Sequence, residues 1–254
     1  MQLSSSDTAT LGEIADVLAS DAPEEVLRRE TGLALMRLLR ADFLASFVWD
    51  APSRSYRSGI SVNMNESNIQ RYHDHFQFHD PVTPAMSIHR QATIVEDVFG
   101  RRELDRTEFY RDFLARDGLH SGLNYFAYAG SRQLGDLRLW RAKGTPFTES
   151  DRIMLELVGR VFAAQLAERA RAEVLGPGAA GLTQREREIV AALAEGLGDA
   201  AIASRLHLSV ATVRTHLSHV FQKLGVGSRL EVVAALREPA KINDSEDVRA
   251  LTGR

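Results

Sequence analysis

Side chains suited to hydrogen bonding recur at helical spacing between residues 210 and 224. One face of this segment is small and polar with a single cation, and consists of Ala211, Arg214, Thr215, Ser218 and Gln222. The other face is apolar, and consists of Val213, Leu217, Val220, Phe221 and Leu224. Arginine, serine and threonine can contact the donors and acceptors that base edges expose in the major groove of DNA. The pattern predicts a helix that packs by one face and can contact bases by the other.

Basic and hydroxyl side chains flank this polar face. Lys223, Arg229, Arg205 and Thr212 could contact phosphates on either side of a groove, which fixes the orientation of a helix without reading sequence. The alternative interpretation is a solvated helix in an all-α bundle, which needs no DNA. The helical pattern by itself leaves both interpretations open.

Local signals place this helix in a four-helix module over residues 182–236. Thr183 and Glu186 have the spacing of a capping box at the first helix, and Ser228 and Glu231 repeat it at the last. Paired glycines are expected to end the first and third helices. A short helix, a three-residue turn and the polar-faced helix then have helix-turn-helix spacing. The module is therefore predicted to be all-α.

The module resembles the C-terminal helix-turn-helix of LuxR-type transcription regulators. The matching pieces are Leu182-Thr183-Gln184-Arg185-Glu186, Ile202-Ala203, Thr212-Val213-Arg214-Thr215-His216 and Lys223-Leu224-Gly225-Val226. They cover the whole module in order. The resemblance implies that Arg214, Thr215 and Ser218 face bases.

The resemblance also implies contacts to the DNA backbone, by Thr183, Thr212 and Lys223, and a structural role for Glu186. The chain departs from the family at two places. The family often has Ser-Asn-Lys-Glu where this chain has Gly198-Asp199-Ala200-Ala201, and often lysine at the position of Ala211. Because two phosphate contacts are missing, we expect one module to bind DNA modestly and with a weak salt dependence.

Composition limits the class of protein. The 254 residues have room for two domains, and 44% are hydrophobic, which supports a packed core. The net charge is −3, so DNA binding must come from a local surface. Without cysteine the chain has no disulfide, thiolate zinc site or thiol nucleophile. We find no long apolar run and no basic-then-apolar leader, so we expect a cytoplasmic protein without a membrane segment.

Upstream of the module, strand pairs alternate with helices. Residues 43–50 and 56–62 form one predicted pair, and residues 123–130 and 134–141 form a second. A long amphipathic helix capped by Thr148 follows. An antiparallel sheet flanked by helices predicts an α+β sensor domain.

Three segments therefore organise the chain. Residues 1–175 are predicted to form the ligand-sensing and dimerisation domain, 176–181 a flexible linker, and 182–254 the DNA-binding domain. The polar first ten residues are expected to be loose, and the polar tail from residue 238 receives no role.

The N-terminal segment over residues 71–82 carries the side chains most suited to chemistry. His75 and His79, four residues apart, could bind a metal with Asp74 or Asp80. In a structural interpretation, aromatic rings fill the edge of the sheet and Asp80 caps the following helix. In a third interpretation, the segment lines a small-molecule pocket. We predict the pocket, with no metal and no cofactor.

This segment resembles the autoinducer-binding domain of LuxR-type quorum sensors, a relative of GAF and PAS folds. Asp80-Pro81 and Gly122 match that family, and Tyr72 matches with one residue deleted. The family's tryptophan falls on Asn68, or on Ser67 without the gap. That tryptophan donates to the lactone carbonyl, and asparagine replaces the donor but not the apolar wall. We therefore predict a ligand other than a typical acyl-homoserine lactone.

The predicted ligand-binding residues combine aromatic walls with a few polar groups. They are Trp49, Tyr56, Tyr72, Phe76, Asp80, Phe99, Ser121 and Asn124.

Helix-turn-helix operators are usually two-fold, because a dimer presents two recognition helices one DNA turn apart. The long helix over residues 149–171 is the candidate dimer contact, although it could equally pack only on its own domain. We predict a homodimeric regulator of transcription whose partners are double-stranded DNA, a small-molecule effector and RNA polymerase.

Other functions remain open for the N-terminal domain. It could only dimerise or bind a protein partner. It could instead be a metal-dependent hydrolase that uses His75, His79 and Asp80, but no phosphate loop or nucleophile elbow supports an enzyme. We predict that the protein is not an enzyme.

Overall fold

Two helices precede the sheet in the computed structural model, which describes residues 4–175, 179 and 181–237. They are α1 (Ser5–Ala19) and α2 (Glu24–Leu39). The loose start predicted for the first ten residues is wrong from Ser4 onward, and residues 1–3 lie outside the described part of the chain. The Ser4 hydroxyl accepts a hydrogen bond from the Asp7 amide, and the Asp7 carboxylate accepts one from the Ser4 amide. This capping box starts α1 at the fifth residue.

Five antiparallel strands form the sheet of the N-terminal unit, in the order β2-β1-β5-β4-β3. They are β1 (Phe43–Asp50), β2 (Ser55–Val62), β3 (Thr93–Ile94), β4 (Ser121–Ala129) and β5 (Arg132–Arg141). Both predicted strand pairs are present as hairpins, and β1 also pairs with β5. The two residues of β3 are too few to leave a period-two pattern, so the sequence does not predict them.

Alternate side chains of β1 face the two sides of the sheet. On one side, Ser46 accepts a hydrogen bond from Arg28 of α2. On the other side, Ala45 and Phe47 belong to an aromatic cluster. Short helices cover that cluster, namely α3 (Glu66–Asp74), α4 (Val82–Ser87), α5 (Val95–Val98) and α6 (Arg101–Leu104). Short π and 3-10 turns follow between residues 109 and 116.

The longest helix, α7 (Glu149–Leu175), starts at the predicted capping box. The Thr148 amide donates to the Asp151 carboxylate at 2.7 Å. Its buried face consists of Met154, Leu155, Val158, Phe162, Ala163 and Leu166. Gly159 lies on this face, and a Cβ there would come within 2.6 Å of the Tyr125 ring. Glycine thus lets α7 approach β4 closely.

After α7, the described residues of the C-terminal unit form four α-helices. They are α8 (Gln184–Ala194), α9 (Asp199–Leu206), α10 (Val210–Leu224) and α11 (Arg229–Arg237). Apolar residues from all four share one core, including Ile189, Ile202, Val213 and Val232. The turn between α9 and α10 passes through His207, which has a left-handed backbone. The predicted fold, an α+β unit followed by an all-α four-helix unit, is confirmed.

The chain divides into two compact units, Met1–Ala167 and Glu168–Arg254. The domain limits predicted at 175 and 182 stay a proposal. The predicted linker over 176–181 lies mostly outside the described residues, and the tail over 238–254 lies wholly outside them. Within the described part of the chain, every helix is too short or too polar to span a lipid bilayer.

Candidate nucleic-acid interface and ligand site

Helix α10 is defined at both ends by capping residues. The Ser209 hydroxyl accepts a hydrogen bond from the Thr212 amide at 3.0 Å, which satisfies an N–H group that has no partner in the first turn. At the other end Gly225 adopts a left-handed backbone, with φ of 65°. Between them Val213, Leu217 and Val220 are buried in the unit's core. The opposite face of the helix is consequently presented outward.

The three residues predicted to face bases share that outward face. Arg214, Thr215 and Ser218 are all exposed, and 72% of the Arg214 side chain is accessible to solvent. The Thr215 hydroxyl donates to the Ala211 carbonyl at 3.1 Å, which leaves its oxygen free to accept. The arrangement offers one planar cation and two hydroxyl groups on a helix surface, a set that can hydrogen-bond to base edges.

The residues predicted to meet the DNA backbone all reach the surface. Thr183, Lys223 and Arg205 are exposed, and Thr212 and Arg229 are half-buried. Each of the three cations contacts a carboxylate. Arg205 contacts Glu195, Lys223 contacts Glu186, and Arg229 contacts Asp199. Any phosphate contact by these cations therefore competes with an internal ion pair.

Glu186 is buried in the C-terminal unit, and its carboxylate connects the start of α8 with α10. It accepts a hydrogen bond from the Thr183 amide at 2.7 Å and one from the Lys223 ammonium at 2.7 Å. Burial opposes its ionisation, but the hydrogen bonds from Lys223 and Thr183 outweigh burial and lower the pKa of Glu186 below the usual 4.5. The geometry matches the structural role implied for this residue.

We predict that Glu186 makes the stability of the C-terminal unit depend on pH. Because its folded-state pKa lies below 4.5, the interaction stabilises the fold above that pH and is lost as the pH falls through the folded-state pKa. Glu186→Gln should destabilise the unit by about 1–3 kcal/mol at neutral pH, since the hydrogen bonds lose their charge, and flatten the acid dependence. Hydrogen-exchange protection of α8 and α10 between pH 3 and 6 measures both effects.

Glu188→Gln is the matched control for that prediction. Glu188 lies two residues away on α8 and pairs with Arg185, and its side chain is partly exposed. The control should leave the acid dependence of wild type in place. An equal flattening in both variants would contradict the assignment to Glu186.

The sequence did not reveal the partner of Arg214. The Asp199 carboxylate lies 3.0 Å from the Arg214 Nε atom and also contacts Arg229. Asp199 is 15 residues before Arg214, and only the angle between α9 and α10 brings the two together. The departure from the family pattern at residues 198–201 is the available signal, but it predicts lost phosphate contacts and not an ion pair with Arg214.

In the N-terminal unit, the predicted ligand-binding residues separate into two groups. Tyr72, Asp80 and Asn124 border a cavity of about 20 Å³ between the sheet and the short helices. This is room for one water molecule. The other five do not border it, and they are Trp49, Tyr56, Phe76, Phe99 and Ser121. The structure thus places polar groups of the predicted site at one cavity, whereas most of the predicted aromatic walls lie elsewhere.

The residues away from the cavity have other neighbours. Trp49 packs edge-on against Tyr56, whose hydroxyl accepts a hydrogen bond from Gln133. Phe76 is buried against Phe109 and Phe113, and Phe99 packs on the margin of the same aromatic cluster. The Ser121 hydroxyl accepts a hydrogen bond from the Phe147 amide at 3.3 Å. Packing against other aromatic rings accounts for the four aromatic positions, and a backbone hydrogen bond accounts for Ser121.

Arg138 of β5 is the centre of the buried polar groups, a role that its position in the sequence does not reveal. Its guanidinium lies 2.7 Å from the Asp136 carboxylate and 3.6 Å from that of Asp80, and it donates to the Tyr72 hydroxyl at 2.6 Å. All four side chains are buried. Burial raises the pKa of Tyr72, so its hydroxyl stays protonated. In the sequence, Arg138 alternates with leucines within a strand, which is typical of a side chain that faces solvent. The pattern therefore does not predict its buried role.

Asp80 both caps a helix and borders the cavity. One carboxylate oxygen accepts hydrogen bonds from the Val82 amide at 2.7 Å and the Thr83 amide at 3.1 Å, which caps α4. Burial raises the pKa of Asp80, although Arg138 and these hydrogen bonds act against it. Beside it Asn124 is buried, and its carbonyl oxygen has no hydrogen-bond partner among the described residues.

The histidine pair has the geometry of stacked rings. The rings of His75 and His79 lie 4.2 Å apart and nearly parallel. His75 faces Glu108 at 3.2 Å, and His79 Nδ1 lies 2.9 Å from the His75 carbonyl. Across the described ranges, no group of three histidine, aspartate or glutamate side chains is placed to hold a metal ion.

Comparison with known proteins identifies the family and the fold of the chain. Residues 180–236 match the family model of "Bacterial regulatory proteins, luxR family". The monoamine regulon transcriptional regulator of Klebsiella aerogenes is 30% identical over 182 residues, which are 71% of this chain and 78% of that protein. Other curated relatives match over shorter segments, and the chain spans 8% to 25% of their lengths.

Two solved structures share the fold at low identity. SdiA in complex with octanoyl-rac-glycerol is 20% identical with a TM-score of 0.50, and the match covers 92% of this chain and 96% of that one. The GAF domain of a phosphoenolpyruvate-protein phosphotransferase from Coxiella burnetii is 16% identical with a TM-score of 0.53, over 67% of this chain and 99% of that one. With a helix-turn-helix unit that matches the family model and a relative similar over most of its length, this chain belongs to the luxR family of bacterial regulatory proteins and is a DNA-binding transcription regulator.

Proposed function

We propose that the protein binds a two-fold DNA operator as a homodimer, and that a small molecule in the N-terminal unit controls this binding. The observation that carries the proposal is the exposed polar face of α10. Arg214, Thr215 and Ser218 read bases, while the flanking hydroxyls and cations, Thr183, Thr212, Lys223, Arg205 and Arg229, meet the backbone.

Selection of bound duplexes from a random pool tests the operator. The full-length protein should enrich a motif with two inverted half-sites whose centres lie one DNA turn apart. A motif without two-fold symmetry would contradict the dimeric arrangement. A pool that stays random would contradict sequence-specific binding.

The proposed dimer contact is a second apolar face of α7. Ile153, Leu157 and Val161 follow one another at four-residue spacing, and their exposed fractions are 43%, 56% and 50%. The opposite face of the helix already fills the core of its own unit. One face of α7 therefore packs within its own unit, as one interpretation of the sequence expects. The other face is exposed and available for the dimer contact that the second interpretation expects. Burying this stripe against a second copy would remove apolar surface from water.

We predict that Leu157→Glu weakens the dimer at least tenfold, because a carboxylate at the centre of the stripe would have to be desolvated. Sedimentation equilibrium of the full chain measures the change in dissociation constant. Val26→Glu is the control, since Val26 of α2 is also exposed, at 43%. If both variants dimerise as tightly as the wild type, the α7 contact is excluded.

The proposed ligand site is the cavity beside Asp80, Asn124 and Arg138. Ligand pockets commonly measure about 300–1,000 Å³, so a ligand there must displace side chains of the aromatic cluster. The polar groups fit a ligand that donates hydrogen bonds. Two carboxylates face one guanidinium, which favours a positively charged ligand over an anionic one.

An acyl-homoserine lactone remains a poor fit in this proposal. The Asn68 amide group donates to the Phe113 carbonyl and to the Asp117 carboxylate, both at 3.0 Å. Its donors are therefore occupied where the family's tryptophan meets the lactone. Because the Klebsiella relative is named for a monoamine regulon, monoamines are the first compounds to screen. Native mass spectrometry of the full chain with each amine tests binding.

The alternative for the N-terminal unit is dimerisation or protein binding alone. Intact operator binding that no small molecule alters would favour it. The hydrolase interpretation has less support, because His75 and His79 stack on each other and Asp80 caps α4. We further propose that the protein is not an enzyme, works in the cytoplasm beside the chromosome, and acts on transcription through RNA polymerase.

A further inference from the structure

The carboxylate of Asp199 lies between two of the cations assigned to DNA. One oxygen is 3.0 Å from the Arg214 Nε atom, and the other accepts a hydrogen bond from Arg229. Asp199 is the first residue of α9, Arg214 lies on α10 and Arg229 begins α11. The side chain of Asp199 is only 17% exposed. The contact thus joins three helices at the margin of the polar face of α10.

The part of Arg214 that Asp199 contacts matters for base recognition. The bond uses Nε, and no hydrogen bond within the described residues engages the two terminal nitrogens. Guanine presents two acceptors in the major groove, and arginine meets them with a pair of N–H groups. Because Asp199 accepts from Nε, the two terminal nitrogens of Arg214 stay free to donate to a base. The same contact restricts the rotation of the long arginine side chain.

We propose that Asp199 is a positioning residue for base recognition, which orients the terminal N–H groups of Arg214 toward the groove. This inference rests on the proposed role of α10. Asp199 has a second, opposite effect on DNA. It places a negative charge near the DNA phosphates and forms an ion pair with Arg229, which competes with a phosphate contact. Asp199 therefore weakens non-specific DNA binding.

These two effects separate positioning from an ordinary surface ion pair. An ordinary pair changes binding to all sequences by one factor, because it acts through charge. Removal of a positioning residue lowers affinity for the operator relative to other DNA while it raises affinity for other DNA. The chain supplies a matched control in Glu195, which pairs with Arg205 and makes no contact with α10 residues in any described ion pair.

The experiment compares full-length variants on two duplexes by fluorescence anisotropy. One duplex carries the motif that the wild-type protein selects from a random pool, and the other has the same base composition in shuffled order. Asp199→Ala should lower the affinity ratio between them by about three- to tenfold and raise affinity for the shuffled duplex. Glu195→Ala removes the same charge and should leave the ratio unchanged.

Asp199→Asn keeps an acceptor for Nε but loses the charge. It should hold the ratio within about twofold of wild type while it raises affinity for the shuffled duplex. If Asp199→Ala fails to fold, Asp199→Ser takes its place, since its shorter side chain does not reach Nε. An unchanged ratio in the folded variant that lacks the acceptor would overturn the proposal, and so would a ratio that falls as far in Asp199→Asn as in that variant. An unchanged ratio in Arg214→Ala would instead refute base reading by α10.

Discussion

Arg214→Ala is expected to abolish discrimination at one base pair in each half-site of the operator. The exposed guanidinium of Arg214 is the one cation on the polar face of α10. A bidentate contact between arginine and guanine discriminates against the wrong base by about 1–3 kcal/mol, and a dimer makes the contact twice. Two losses of this size total about 2–6 kcal/mol, a large part of the roughly 4–10 kcal/mol by which such proteins prefer an operator over random DNA. Selection from a random pool with the variant measures this as two positions that become degenerate.

Arg205→Ala is the control that separates base from backbone contact. Arg205 is exposed and pairs only with the exposed Glu195 among the described residues. Its loss should weaken binding to all sequences alike and make the salt dependence shallower. Lys223→Ala is less suitable, because Lys223 is the partner of the buried Glu186 and its removal also destabilises the fold. A motif that keeps both positions in Arg214→Ala would contradict base reading by this residue.

The C-terminal unit could be predicted in detail because its signals are local. The caps at Thr183 and Ser209 and the apolar spacing of α10 each lie within one helix, so the sequence displays them directly. One local signal was only partly correct. Glu231 was expected to reach back to the Ser228 amide, but its carboxylate accepts from the Gly227 amide instead. The pair between Asp199 and Arg214 joins separate helices, so no spacing within one helix displays it.

The N-terminal site was less predictable for the same reason. Asp80 could be predicted as a site residue because the Asp-Pro pair is visible in the sequence. The role of Arg138, in contrast, depends on contacts with residues 2, 58 and 66 positions away. A strand pattern shows which residues alternate, not which side faces a buried carboxylate. Trp49 and Phe76 were chosen as pocket walls by residue type alone. Aromatic residues fill cores as well as pockets, and here they pack with one another.

Close approach of two strands explains why this polar cluster is possible at all. Gly135 has φ of 148°, and a Cβ there would lie 2.3 Å from the Phe47 carbonyl oxygen. With no side chain in the way, β5 lies close to β1, and the Asp136 carboxylate accepts a hydrogen bond from the Phe47 amide at 2.9 Å. Asp136 is then fully buried, and a buried carboxylate destabilises the fold unless a cation lies beside it. Arg138 provides that cation.

Arg138→Met should therefore destabilise the N-terminal unit by about 3–5 kcal/mol, because removing one member of a buried ion pair leaves its partners uncompensated. Asp136 and Asp80 would both lose their cation, and Tyr72 would lose its donor. The chain has two tryptophans, Trp49 and Trp140, and both lie in this unit. Urea denaturation of the full chain, followed by tryptophan fluorescence, therefore measures this unit without its neighbour.

Two further variants make the argument specific to the ion pair. Arg57→Met removes an arginine whose side chain is 64% exposed and pairs with Asp50, so it should cost no more than about 1 kcal/mol. The double variant Arg138→Met with Asp136→Asn removes both charges of the closest pair. It should cost less than the sum of the single variants, because the asparagine leaves no buried anion at that position. Additive losses would mean that Arg138 stabilises the unit by packing over the aromatic rings rather than by its charge.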